Sequence, residues 1–216
     1  MKVMVFAPHP DDEILGCGGT LAGHVEAGDS VTVVYMTSGE AGSRHIPKEQ
    51  LGPIREQEAL RACSLLGITD LVFLRNPDSC VPYDQDNLLS LTNLIRNKQP
   101  EYIYLPHQQD AHRDHIITHE LVVAAKNRAA EPRLHEYGGE PWQVSLALAY
   151  EVWTPLQQFS RVVDITNYIQ KKIAALILHR SQLVDIRYDE AVRSLNRYRG
   201  IMTGEGDYCE CFQIII

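Results

Sequence analysis

No stretch of this sequence approaches the roughly 20 consecutive apolar residues that a membrane-spanning helix needs. The apolar opening, Met1 to Ala7, meets Asp11, Asp12 and Glu13 almost at once. That is too short and too acidic for the core of a secretion signal, so a cytoplasmic protein with no membrane partner is expected. Five cysteines (Cys17, Cys63, Cys80, Cys209, Cys211) are odd in number and scattered, with no C-x-x-C pair. Neither a disulfide framework nor a zinc ribbon is indicated, and buried thiols are expected. Basic charge is scarce as well: 20 Lys and Arg stand against 28 Asp and Glu, a net charge of -8. An acidic chain repels phosphate backbones, so nucleic acid is not an expected partner. Internal repeats, low-complexity segments and a linker are also missing, which argues against a solenoid and against a two-domain chain.

What remains is ordinary globular usage, 44% hydrophobic and 22% charged over 216 residues, enough for one well-buried domain spanning residues 1–216. Short β-rich runs alternate with longer helical patterns. Strands are predicted at Lys2 to Ala7, Val31 to Thr37, Leu71 to Leu74 and Tyr102 to Leu105. Helices are predicted at Glu13 to Ala27, Ile54 to Leu66, Asn87 to Asn97 and Ile116 to Arg128, several closed by Gly or stopped before Pro. Beyond Pro132 the pattern weakens to strands at Ser145 to Trp153 and Arg161 to Ile165, helices at Tyr168 to Arg180 and Asp189 to Tyr198, and a final strand at Tyr208 to Ile216. This order predicts an α/β fold: a Rossmann-like, doubly wound, mostly parallel sheet with helices on both faces. In such sheets ligands bind beyond the carboxyl ends of the strands where the order reverses, here after strands one and four. Gly39 to Pro53 and Asn76 to Asp86 read as the irregular loops that shape a pocket.

The unusual residues fall at those two places. After the first strand comes Pro8-His9-Pro10-Asp11-Asp12-Glu13. Three consecutive carboxylates at the end of a buried strand repel one another, and a divalent cation resolves that repulsion. His9 and Asp12 can turn toward one centre, while Asp11 leaves the backbone in another direction. After the fourth strand comes Asp110-Ala111-His112-Arg113-Asp114-His115, where two histidines at i and i+3 suit a metal ligand and a transition-state stabiliser. Taken singly, the first segment also reads as a turn and the second as capping or surface histidines. His115 and His119, at i and i+4, form a competing helical pair, but Ile116 stands where such metal sites carry Glu. Gly16-Cys17-Gly18-Gly19 lacks the dinucleotide-binding spacing and reads as close helix-to-sheet packing.

The string from Pro8 to Glu13, followed by Gly18-Gly19-Thr20-Leu21, resembles the signature of the LmbE-like, or PIG-L, family of zinc-dependent N-acetylglucosaminyl deacetylases. The likeness continues through Thr37 to Gly42, Arg55, Glu58, Pro77-Asp78 and the His112 to His115 segment, with weaker echoes at His179 to Gln182 and Tyr208 to Phe212. Two positions depart from it: Pro8 stands for the usual alanine, and Arg113 for a frequent proline. The resemblance implies that His9, Asp12 and His115 ligate zinc, that Asp11 is the base and that His112 stabilises the oxyanion. It also implies that Arg55 and Asp78 bind the sugar or its attached group. Asp114 is placed either to orient His112 or His115 from behind or to cap the following helix. The implied function is removal of the N-acetyl group from a small N-acetylglucosamine-type sugar or conjugate by metal-activated water. A metal-dependent phosphoester hydrolase and a non-catalytic metal-binding protein are the alternatives, and a homo-oligomer is expected.

Overall fold

The computed structural model describes residues 1–134 and 137–215; Ile216, the end of the expected last strand, lies outside them. In chain order the elements are β1 (Lys2–Ala7), α1 (Asp12–Glu26), β2 (Ser30–Thr37), α2 (Lys48–Leu66), β3 (Asp70–Asn76), α3 (Gln85–Lys98) and β4 (Tyr102–Pro106). They continue with α4 (Arg113–Ala130), β5 (Leu146–Tyr150), β6 (Arg161–Asp164), α5 (Ile169–Leu176), α6 (Tyr188–Thr203) and β7 (Cys209–Ile215). One seven-stranded sheet runs β3-β2-β1-β4-β5-β7-β6. The first five of these strands are parallel, and β7 lies antiparallel between β5 and β6.

Alternation along β1 shows why its sequence is apolar from Val3 to Ala7. Val3, Val5 and Ala7 join a core with α1, α2 and α5, while Met4 and Phe6 face α3 and α4. A strand buried on both faces has no polar side to show. The order reverses between β1, which leads to β2, and β4, so the loops after β1 and β4 open side by side.

Helix α1 lies hard against the sheet. A methyl added at Gly16 would run into the Tyr150 ring, and one at Gly19 into Ile165, which is the packing role expected of those glycines. The helix breaks at Cys17 (φ -142°, ψ 17°), and the N–H groups released just beyond are taken up by Glu210 of β7. Its carboxylate accepts from Gly19 N at 2.9 Å and Thr20 N at 2.8 Å, and is paired by the buried Lys172 at 2.7 Å.

Several boundaries differ from expectation, α6 running on to Thr203 and α4 starting at Arg113 among them, and three have a visible physical reason. Helix α2 begins at Lys48 rather than Ile54, so Pro53 lies inside it and the loop before it is shorter. The hydrogen bond that Pro53 cannot make would have gone to the carbonyl of Glu49, an exposed residue in the first turn. Helix α5 stops at Leu176 rather than Arg180, because the chain tightens into i to i+3 turns with Leu178 N bonded to Ala175 O and His179 N to Leu176 O. Strand β5 spans only Leu146–Tyr150, since Glu151 turns inward to pair with Arg199.

Candidate metal centre and active site

Where β1 ends, Thr37 at the end of β2 secures the turn: its N and Oγ1 both donate to Pro8 O, at 3.1 and 2.9 Å. Asp11 follows with φ 128° and ψ -25°, a conformation rare for a residue with a Cβ and costing on the order of 1–3 kcal/mol. Asp12 opens α1, buried to 1%. After β4, Asp110 accepts from His112 N at 3.1 Å and from Trp153 N at 3.1 Å, binding this loop to the segment beyond β5. His112 is the N-cap of α4, its Nδ1 accepting from Asp114 N at 3.2 Å. One turn on, His115 is fully buried.

These loops converge. Oδ2 of Asp12 lies 3.1 Å from Nδ1 of His9 and 3.2 Å from Nε2 of His115. The rings of His9 and His115 are 5.5 Å apart, and that of His112 is 4.8 Å from His9 and 5.4 Å from His115. Donor atoms of His9, His112 and His115 all fall within 4.8 Å of one another. Asp12 Oδ1 and both ring nitrogens of His115 are buried without a hydrogen-bond partner. Buried polar atoms are ordinarily satisfied, so an orphaned His115 Nε2 beside the Asp12 carboxylate, close to the donor atoms of His9 and His112, fits a divalent cation.

The electrostatics agree. Burial opposes a charge on His115, yet Asp12 and Asp110 raise its pKa to about 9. Burial opposes one on His9 too, and Asp114, Asp12 and Asp78 raise its pKa well above the usual value. Asp12 is held far below the carboxylate range, burial being outweighed by His115 and His9. A field that draws protons so strongly onto imidazoles also attracts a cation. For Asp11 burial dominates, lifting the pKa to about 7 against the pull of Arg55 and with help from Asp12. For His112, burial and then His9 and His115 depress the pKa and favour the neutral ring. Because Nδ1 accepts a backbone N–H, neutral His112 carries its proton on Nε2.

A cleft of about 210 Å³ covers this cluster, lined by His9, Asp11, Arg55, Asp78, His112, Trp153, Gln182 and Tyr188 among others. A larger depression of about 340 Å³, between Lys2, Asp70 and Lys98, lies at the opposite ends of the strands, away from both groups of side chains that could hold a metal among the described residues, His9 with His112 and His115 and His9 with Asp78 and Asp114.

The remaining expected residues are placed as follows. Arg55 lines the cleft, but Nη1 donates to Gly39 O at 3.0 Å and Nη2 to Pro10 O at 2.6 Å, with Asp11 Oδ1 at 3.2 Å. Gly39 has φ 65°, and the guanidinium occupies the space its side chain would fill. Asp78 accepts from Ala41 N at 2.7 Å and stands 3.2 Å from His9 Nε2. Asp114, expected behind His112 or His115, turns its carboxylate to His9 Nε2 at 3.2 Å and accepts from Ser79 N and Val81 N. Beside His115 Nδ1 it is Asp110 that stands, at 3.6 Å. His119 faces away, Nδ1 meeting Pro106 O at 2.9 Å, which removes the i, i+4 metal pair. Sequence reasoning did not single out Asp110, Trp153 or Tyr188; only the position of Asp110, ahead of the two histidines, hinted at a role.

A family model described as PIG-L, GlcNAc-PI de-N-acetylase, matches residues 4–126, more than half of the chain. The chain belongs to the PIG-L family. A 1D-myo-inositol 2-acetamido-2-deoxy-alpha-D-glucopyranoside deacetylase of Thermomonospora curvata is 29% identical, the alignment covering 85% of this chain and 81% of the relative. Two solved structures share the architecture. The conserved protein TT1542 from Thermus thermophilus superposes with a TM-score of 0.89 at 34% identity, covering 99% of this chain and 94% of its own. The N,N'-diacetylchitobiose deacetylase from Pyrococcus horikoshii gives 0.90 at 28% identity, covering 99% and 83%. The PIG-L match spans both loops of the cluster, while Trp153, Gln182 and Tyr188 reach the cleft from beyond it.

Proposed function

We propose that this PIG-L protein is a zinc-dependent N-deacetylase of an N-acetylglucosamine-type sugar or conjugate, with His9, Asp12 and His115 as the metal ligands. The observation that carries the reading is the convergence of His9 Nδ1 and His115 Nε2 on one oxygen of buried Asp12, beside the cleft-lining Asp11. Asp12 is preferred to His112 as third ligand because one oxygen of its carboxylate lies within 3.2 Å of both His9 Nδ1 and His115 Nε2 and its charge offsets part of the cation's, whereas His112 has one nitrogen engaged in capping α4. Held by His9, Asp12 and His115, a zinc ion would supply Lewis-acid polarisation of the acetyl carbonyl and a water of lowered pKa.

The chain's own groups then divide the work. Asp11, buried and with a pKa of about 7, takes a proton from the attacking water and returns it to the departing sugar nitrogen. The Nε2–H of neutral His112 donates to the oxyanion as the carbonyl carbon becomes tetrahedral. Asp114 and Asp78 orient His9 from behind, and Arg55 fixes the Asp11 carboxylate. The C–N bond breaks to give acetate and a free amine. Trp153, half-exposed at the cleft mouth, offers an apolar face to a sugar ring.

The test is acetate release by the zinc-loaded protein across a panel of N-acetylated sugars and conjugates, with phosphate release from phosphoesters assayed in parallel. Acetate alone supports the reading. Phosphate alone assigns a phosphoesterase, and tight zinc binding with neither product assigns a non-catalytic metal site.

A further inference from the structure

Asp11 occupies the N-cap position of α1 without acting as an N-cap. Aspartate there ordinarily adopts extended backbone and accepts from an N–H of the first turn. Here φ is 128°, the side chain makes no capping bond, and only the Asp11 carbonyl receives Ile14 N and Leu15 N. The carboxylate is thereby directed away from the helix end, to Arg55 and the cleft.

Glu13 holds this conformation. Its Oε2 accepts from Asp11 N at 3.1 Å, reaching back from the second helical position rather than the third used in a capping box. Its Oε1 accepts from Tyr35 Oη at 2.7 Å, and Tyr35 in turn lies 3.3 Å from Cys63 Sγ. Both Glu13 and Tyr35 are fully buried, and neither touches the cleft. We propose that the Glu13–Tyr35 pair is a positioning device for the general base: by accepting the Asp11 N–H, Glu13 keeps Asp11 in its left-handed conformation and prevents its carboxylate from collapsing onto the amino end of α1. The proposal rests on the reading of Asp11 as the base.

The test compares Glu13→Met, which keeps the volume and removes the acceptor, with Glu13→Gln, which still offers one oxygen to Asp11 N. Glu13→Met should lose on the order of 10²-fold in kcat, as expected for a displaced catalytic group, with KM, zinc stoichiometry and the folded fraction unchanged. Glu13→Gln should stay within about tenfold of the parent. A crystal structure of zinc-loaded Glu13→Met should show Asp11 at negative φ, its carboxylate accepting from a backbone N–H in the first turn of α1.

Asp11 still at positive φ against Arg55 overturns the proposal, as does Glu13→Met turning over within threefold of the parent. Equal losses in both variants overturn it too, since they point to the charge of Glu13 rather than its grip on Asp11. Should Glu13→Met not fold, Tyr35→Phe decides: a loss of about tenfold in kcat at constant KM and zinc content supports the device, and no change refutes it. If the parent releases no acetate from any acetamido sugar, the functional reading fails by itself, while the crystallographic comparison still answers whether Glu13 sets the Asp11 backbone.

Discussion

Asp110 stands 3.6 Å from Nδ1 of His115, on the opposite edge of the ring from Asp12. The same carboxylate group accepts from His112 N and Trp153 N, so one residue stands behind the proposed metal ligand and fixes the proposed oxyanion donor and a wall of the cleft. A carboxylate behind a ligating imidazole sets its tautomer and raises its basicity, and losing such a partner typically costs about 10–100-fold in metal affinity. Asp110→Asn keeps an acceptor for the backbone and removes the charge. Its zinc affinity, measured by chelator competition, is expected to fall by roughly that range. Unchanged affinity would show that His115 needs no anionic support.

Asp11 and Asp12 are neighbours with opposite assignments, so paired substitutions separate them. Asp11→Ala is expected to retain one zinc per chain and lose roughly 10²–10⁴-fold in turnover, the usual contribution of a general base. His9→Ala and Asp12→Ala are expected to lose the metal itself. Elemental analysis alongside acetate release distinguishes the two outcomes, and an active Asp11→Ala enzyme would remove the base assignment.

His112 is close enough to His9 and His115 to be mistaken for a ligand. As an oxyanion donor its loss should cost about 10²–10³-fold in kcat with zinc still bound. The measurement is zinc content of His112→Ala after gel filtration in the presence of a weak chelator. An empty site would make His112 a metal ligand and remove its assignment as the oxyanion donor.

Much of this architecture is legible from residue pattern because the informative segments are local. The buried strand β1 and the glycine-rich α1 announce themselves by composition, and the β-α-β order leaves few ways to arrange the first four strands, so the loops after β1 and β4 meet where expected. The start of α2 is hidden by Pro53, whose missing hydrogen bond falls on the first turns of the helix at exposed Glu49, where it costs less than in a buried interior. Which carboxylate supports which histidine was not legible. Asp110 and Asp114 flank His112 symmetrically in sequence, and only the turn into α4 sends Asp114 toward His9 and leaves Asp110 beside His115. Trp153 and Tyr188 reach the cleft through the packing of β5, β7 and α6, a long-range arrangement with no spacing signature in the chain.

Outside the lining of the cleft, Lys172 and Glu210 form a pair with no exposed side-chain surface. Lys172 Nζ also donates to Leu15 O at 2.8 Å and Asn196 Oδ1 at 2.9 Å, which accounts for all three of its donors. Glu210 meanwhile receives the N–H groups freed at the Cys17 break, so α5, α6, β7 and both halves of α1 meet at one ion pair. Lys172→Met removes the cation and leaves Glu210 charged in a dry interior, and breaking a buried pair in this way costs about 3–5 kcal/mol. Glu210→Gln instead keeps an acceptor for α1. It too strips the partner from a buried charge, but Lys172 retains two neutral oxygen partners, so the loss should be the smaller of the two. Urea unfolding of both variants checks the order. A Lys172→Met protein as stable as the parent would mean that the helix break is held by the backbone bonds to Glu210 alone.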